Sequence, residues 1–396
     1  MATPHLAPPV AFDPGDDTDE LAERLAATGP LARLRIAGHT HWALTSHEAL
    51  QEALHPRSDL FVRSATYRDH HGEFDASSPL IANIRVRSML TQDGPDHRRV
   101  RGLVQNVFTR RRVQELRPQV EAITERLLER IAEPGAPRPV DLKQSLAMPV
   151  PIQVIGRLLG LDPDDYPAIS DIAERTLSGV DTAVVEEAYR FIGDLVRRKR
   201  ENPDDALISA MIAENSADGD KLGAEELADT VYLLLIAGFE TTMGALANGW
   251  RQLLRHPDQL GLLTGGTVTW EQGIEEVLRH STSVNLLPAI FPTREVSYGG
   301  VTLPQGTPVL LAYKAAGRDR KVWHDAASFD VTRERTPNLA FGYGAHRCLG
   351  EHLARLELGV ALPALFERFP GLRSAEDDEP APSLLMSHPR RLLVYP

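Results

Sequence analysis

A single cysteine, Cys348, lies in the run Phe341-Gly-Tyr-Gly-Ala-His-Arg-Cys-Leu-Gly350. One cysteine excludes a disulfide within the chain and any zinc site built on cysteines. A small buried apolar side chain, a nucleophile or a metal ligand remains, and the last two need the thiolate. Glycines at 342, 344 and 350 let the backbone turn tightly and approach a flat ligand closely. Beyond the cysteine, the apolar stripe Leu349, Leu353, Leu356 and Val360 predicts a helix. The sulfur should then stand at or just before a helix N-terminus, where free amides and the positive dipole end are expected to lower the thiol pKa. A dinucleotide-binding reading of Gly342-x-Gly344 lacks the third glycine and a βαβ unit. His346 and Cys348 as a zinc pair lack two further ligands, while a cysteine nucleophile with a histidine base stays open.

Three other groupings have chemical types at suggestive spacing. Ala237-Gly238-Phe239-Glu240-Thr241-Thr242 puts an acid beside two hydroxyls inside an otherwise apolar stretch, which is costly unless the acid serves a purpose. Threonine hydroxyls can bond back to a carbonyl one turn earlier, and the glycine loosens the helix there. Taken alone, a buried polar network without chemistry explains it equally well. Asp93-Gly-Pro-Asp-His97-Arg-Arg-Val-Arg101 places His97 and Arg101 one helical turn apart, within reach of one anionic group. Glu276-Val-Leu-Arg279 sets an acid and a base at i and i+3 on one helix face, the spacing of a common surface ion pair.

The elements that must position these residues are mostly helical. Ala224 to about Leu254 predicts one helix of some thirty residues, apolar all round from Val231 to Ile236 and therefore central. Val113, Leu116, Val120, Ile123 and Leu127 predict a helix from Val113 to Ile131. Strand-like stretches are few: Ala32 to Ala43, and about Asn285 to Leu311, punctuated by the turns Gly299-Gly300 and Pro304-Gln305-Gly306. The expectation is a mainly α fold with small β-sheets (α+β), a Pro-rich flexible tail at 1–15 and a single large domain over 16–396. Hydrophobic residues make up 42% of 396, enough for a large core, and a formal net charge of -12 argues against nucleic-acid binding. No basic n-region precedes an apolar stretch and no apolar run approaches a membrane span, so a cytoplasmic protein without a membrane segment is expected.

The cysteine run resembles the haem-binding signature of cytochromes P450, Phe-x-x-Gly-x-[His/Arg]-x-Cys-x-Gly, and the likeness to the soluble bacterial enzymes extends from about residue 30 to the C-terminus. It implies the triangular, mainly α-helical prism of that family and haem b held by the Cys348 thiolate. Phe341, Gly342, His346 and Gly350 on the cysteine side, and Ala237 and Gly238 on the helix side, would contact the haem. Glu240 and Thr241 resemble the acid–alcohol motif that relays protons during dioxygen activation, which makes them the catalytic candidates. His97, Arg101 and His346 are assigned by resemblance to the propionates, and Glu276-x-x-Arg279 to a structural lock. Two positions depart from the pattern. Ile290 stands where a third propionate arginine is usual, with Arg294 four residues away, and Ser328 stands where the lock often has its third arginine.

The same likeness places the substrate pocket among residues 61–89 (with His70, His71 and several arginines), the long helix, Leu286 to Ile290 and a turn at Leu384 to Met386. The expected activity is O2-dependent hydroxylation of a small apolar metabolite, in natural-product biosynthesis. Oxidative C–C or C–N coupling of aromatic substrates is the alternative within the same chemistry, and a non-catalytic helper protein the alternative outside it. Electrons would come from NAD(P)H through a ferredoxin reductase and a ferredoxin, docked on Arg98, Arg99, Arg110, Arg111, Arg112 and Arg347; scattered solvated arginines explain those residues as well.

Overall fold

Helix Ala224–Arg255 runs unbroken for 32 residues through the middle of the molecule, almost as the apolar pattern requires. At 1.5 Å per residue it is roughly 48 Å long, enough to cross a domain of this size. Its first turn is capped backwards: Gly223 N–H donates to the Glu226 carboxylate at 3.1 Å, and the helix gives out before Pro257. Length and apolarity would suit a membrane span, but 78% of its most apolar window is buried by protein, as expected of a core helix. This computed structural model describes residues 7–64, 67–68, 70, 88–178, 183–217, 222–334, 336–376 and 378–396. Most of the expected pocket segment 61–89, His71 included, therefore lies outside the described residues.

Around the central helix pack helices Pro149–Leu159, Tyr166–Ser178, Val184–Glu201, Trp270–His280 and Glu351–Arg368, joined by one apolar core in which Trp250 is fully buried. The helix expected over Val113 to Ile131 is two: Arg110–Glu115 and Arg117–Ala132. Pro118 causes the break, because it cannot donate to the preceding turn and its ring clashes with it. Periodicity survived across the break since both pieces bury the same side.

Beside the helices lies a six-stranded sheet in the order β1-β2-β3-β9-β6-β4: Val10–Phe12, Leu31–Ile36, His39–Leu44, Val309–Ala312, Leu286–Pro292 and Phe61–Val62. The strand expected over Ala32 to Ala43 is the hairpin β2–β3. Its turn is Ala37-Gly38, both at positive φ (49° and 84°), the geometry that matches strand twist in a two-residue loop. The β-rich stretch 285–311 holds β6, β9 and the small hairpin β7 (Val296–Tyr298) and β8 (Val301–Leu303). Strand β1 pairs in parallel with β2, and Asp19, in helix Thr18–Ala27, binds Lys314 (3.0 Å), Arg318 (2.6 Å) and Arg251 (3.3 Å). The boundary expected at residue 15 is corrected accordingly: residues 10–12 are built into the sheet rather than a flexible tail.

One buried lock holds the C-terminal third in register. Glu276 and Arg279 make two 2.7 Å hydrogen bonds, with both side chains 3% exposed, so the pair is not a surface one. Arg279 also donates to the carbonyls of Gly317, Ala326 and Ser328. The third arginine is Arg333, whose Nε lies 3.3 Å from Glu276; Ser328 contributes only its backbone. The segment leading into the cysteine run is thus anchored to helix Trp270–His280.

Candidate active site

The cysteine run is a tight loop closed on itself. Gly342 N–H donates to Leu339 O and Cys348 N–H to Phe341 O, both at 2.8 Å. Gly342 (φ 69°) and Gly344 (φ 74°) take the left-handed conformation this path needs. At Gly344 a side chain would also run into the Leu54 carbonyl. Arg355 lies over the Phe341 ring, 4.7 Å from its centroid, and binds Glu275 and Glu351, so the ring is held from behind. Helix Glu351–Arg368 follows, with Gly350 as its N-cap.

Cys348 lies deep in the protein, yet its side chain keeps free surface, because it faces an internal cavity of about 270 Å³. Burial pushes the thiol above its ordinary pKa, against the opposing pull of the Gly350 amide, Arg101 and Arg347. The direction expected from the sequence is thus reversed for the site by itself: desolvation outweighs the Gly350 amide and the two arginines. A bound cation at the sulfur reverses this balance, since a coordinating thiol is deprotonated outright.

The same cavity gathers most of the residues singled out from the sequence. The central helix contributes Ala237, Gly238 and Thr241 to its lining, the cysteine loop contributes Phe341, Gly342, His346, Cys348 and Gly350, and Arg101 joins them. Thr241 Oγ1 donates to Ala237 O at 3.0 Å, the back-bond expected of a helical threonine, and the helix stays unbroken around it. His97 does not line the cavity. It is buried behind His346, ring centroids 4.3 Å apart, and its Nε2 has no partner. Burial, then the charges of His346 and Arg101, depress its pKa to about 4. His346 Nε2 meets Asp93 Oδ1 at 3.0 Å, and Arg101 donates to the Arg347 carbonyl at 2.7 Å.

Glu240 also stays off the cavity. It is 2% exposed, burial raises its pKa to about 8, and its Oε1 lies 3.7 Å from Nε2 of His388. Burial likewise lowers His388 to about 4, so near neutral pH both are uncharged and the contact is polar rather than ionic. Lys143, whose charge acts on both, pairs with the exposed Glu174 at 3.6 Å. Sequence reasoning missed His388 and Lys143, which no spacing connects to residue 240, and Ser283, which lines the cavity. Gly244 is what admits Ser283, since a side chain there would meet it at 2.9 Å. The turn Leu384 to Met386, expected in the pocket, instead packs in the core of the sheet; the cavity takes Val284 and Leu287 from the neighbouring segment. Ile290 is buried against Val309, and Arg294 is exposed and paired with Asp59, so neither reaches the cavity.

These features fit a flat metal macrocycle with an acidic edge. One thiol points into a largely apolar space that Arg63, Arg101 and His346 also line, and behind His346 a buried His97 nitrogen lacks a partner. Asp93 adds one negative charge beside these histidines, held by His346 and by the backbone amides of Arg63 and Ser64.

Comparison with known proteins gives a consistent result. The family model described as Cytochrome P450 matches residues 270–394. The vitamin D(3) 25-hydroxylase of Pseudonocardia autotrophica is 38% identical over 356 residues, covering 89% of this chain and 86% of that protein. The 6-deoxyerythronolide B hydroxylase of Saccharopolyspora erythraea is 38% identical over 361 residues, 88% of this chain and 87% of that one. The structure of CYP154A1 from Streptomyces coelicolor A3(2) superposes with a TM-score of 0.89 at 36% identity, covering 97% of this chain and 99% of that one.

Proposed function

The chain belongs to the cytochrome P450 family and is a monooxygenase; on that premise we propose that it hydroxylates an apolar, polycyclic or macrocyclic natural product. The observation that carries this reading is the Cys348 sulfur facing the same cavity as Thr241 on the central helix. Cys348 would hold haem b as its thiolate ligand, with Phe341, Gly342 and Gly350 against one face and Ala237 and Gly238 against the other. Arg101, His97 and His346 would bind the propionates; carboxylates there would satisfy the unpartnered His97 nitrogen and raise its depressed pKa. When bound, such a group supplies dioxygen activation, because a thiolate ligand favours O–O cleavage.

The chain's own residues bind, dry and protonate. Leu90, Ile155, Leu233, Val284 and Leu287 give the cavity its apolar lining, which suits a substrate with few polar anchors and keeps bulk water out. Names of relatives point the same way, to vitamin D(3), 6-deoxyerythronolide B and 2-hydroxy-5-methyl-1-naphthoate. Thr241 Oγ1 presents its lone pairs to the cavity and delivers a proton there once its bond to Ala237 O is released. Glu240, protonated near neutral pH, stores the next proton one residue away. The charge of Lys143, itself paired with the exposed Glu174, acts on that carboxyl. Members of this family take electrons from a redox partner; here a ferredoxin and ferredoxin reductase drawing on NAD(P)H, in the cytoplasm, are proposed.

The test is a visible absorption titration of the purified ferric protein with macrolides, steroids, cyclic dipeptides and other apolar metabolites. A Soret band moving from low to high spin identifies the substrate class. A product heavier by one oxygen then establishes hydroxylation, whereas loss of hydrogens establishes coupling. A protein that takes up no haem after supplementation overturns the reading in favour of a helper.

A further inference from the structure

We propose that Arg63 is a propionate-binding residue that reaches the haem edge from β4, in place of the arginine that Ile290 displaces from β6. The proposal rests on the haem reading above and concerns which cation completes that site. Strands β4 and β6 are antiparallel, with Phe61 opposite Pro292 and Val62 opposite Phe291. Arg63 directly follows the last pair of that ladder and Ile290 directly precedes its Phe291, so the two residues leave the pairing at the same end. A cation lost from one strand can therefore be supplied by its neighbour at nearly the same point in space.

Local structure holds Arg63 there. Its backbone N–H and that of Ser64 both donate to Asp93 Oδ2 at 2.7 Å, and Asp93 Oδ1 meets His346. One carboxylate thus ties the end of β4 to the start of the helix bearing His97 and Arg101, and to the cysteine loop. The Arg63 side chain is only 5% exposed and lines the cavity together with Arg101, His346 and Cys348. Its Nε has no hydrogen-bond partner, and among the described residues no carboxylate pairs with its guanidinium. The side chain does touch Tyr313, a neutral group. A guanidinium cannot shed its proton, so a buried one without an anion is strongly disfavoured. The planar fork suits a carboxylate, and the ligand proposed for this cavity carries two.

The experiment compares the haem-loaded protein with Arg63→Leu, Arg63→Lys and the double variant Arg63→Leu/Ile290→Arg. Haem transfer to excess apomyoglobin gives the release rate, and resonance Raman gives the propionate-bending bands, which a merely structural role would not move. Arg63→Leu is expected to release haem roughly tenfold to a hundredfold faster, the loss of one charge-assisted hydrogen bond, with shifted propionate bands. Restoring the cation through Ile290→Arg should recover much of both. Should Arg63→Leu fail to fold, Arg63→Lys keeps the charge but not the fork, and its propionate bands should still shift. Unchanged release and unchanged bands in both Arg63 variants overturn the proposal while leaving the haem reading intact. An unaltered chain that holds no haem overturns both.

Discussion

Glu240 and Thr241 are neighbours in the chain and face different surroundings: the hydroxyl lines the cavity, while the carboxyl is buried beside His388. Consecutive helical residues diverge by about 100°, so a two-residue motif can serve two compartments. Thr241→Ala is expected to leave haem binding and stability nearly unchanged and to divert electrons to peroxide. Product formed per NADPH oxidised, with a matched substrate, should fall severalfold, and an unchanged ratio removes Thr241 from proton delivery. Glu240 carries a stability signature as well. Its folded pKa of about 8 lies above the ordinary 4.5, so the folded state binds the extra proton. Stability is then lost as pH rises between those values, at up to roughly 1.4 kcal/mol per pH unit. His388, depressed to about 4 from 6.5, acts in the opposite sense, but only below about pH 6.5. Between pH 6.5 and 8, guanidinium unfolding of Glu240→Gln should therefore show a flatter decline than the unaltered chain; parallel declines would place the titration elsewhere.

At the scale of elements, the lock between helix Trp270–His280 and residues 317–333 was half legible. The i, i+3 spacing of Glu276 and Arg279 is plain in the sequence, but spacing alone gives a surface pair of little consequence. Only the tertiary structure buries it and hands Arg279 three carbonyls and Glu276 a second arginine, Arg333. Position 328 holds Ser, and the third arginine, Arg333, arrives five residues later, across a turn whose path no local pattern fixes. Glu276→Ala leaves Arg279 buried without its carboxylate and is expected to cost about 3–5 kcal/mol, measured as a lower denaturant midpoint and poor haem incorporation. Midpoints within experimental error of each other would mean that water or backbone replaces the pair.

At the scale of the whole molecule, the arginines expected to greet a ferredoxin are partly spent. Arg99 is bound to Glu226, Arg347 to Glu351, and Arg111 lies 3.5 Å from Glu115. Arg98, Arg110 and Arg112 are exposed on a chain of net charge -12. An acidic ferredoxin, the partner proposed above, would be steered by these three arginines over a reach set by the Debye length. Turnover driven by an acidic ferredoxin should fall severalfold between roughly 0.05 and 0.5 M salt, and Arg110→Ala/Arg112→Ala should flatten that dependence. Salt-insensitive turnover would end the steering idea.

The sequence by itself determined the cysteine loop, the long helix and the lock pair. Each is a local pattern: glycines where a loop must turn left-handed, an apolar periodicity through a core, two charges one turn apart. It also marked Ile290 as a departure from its family. Tertiary structure alone decided the rest. The pairing of β4 with β6 brings Arg63 and Ile290 to the same end of one ladder, the packing of the C-terminal segment brings His388 to Glu240, and burial outweighs the Gly350 amide and the nearby arginines at the Cys348 thiol. Those contacts join residues far apart in the chain, and desolvation depends on everything packed around a group, so neither is written in any short stretch of sequence.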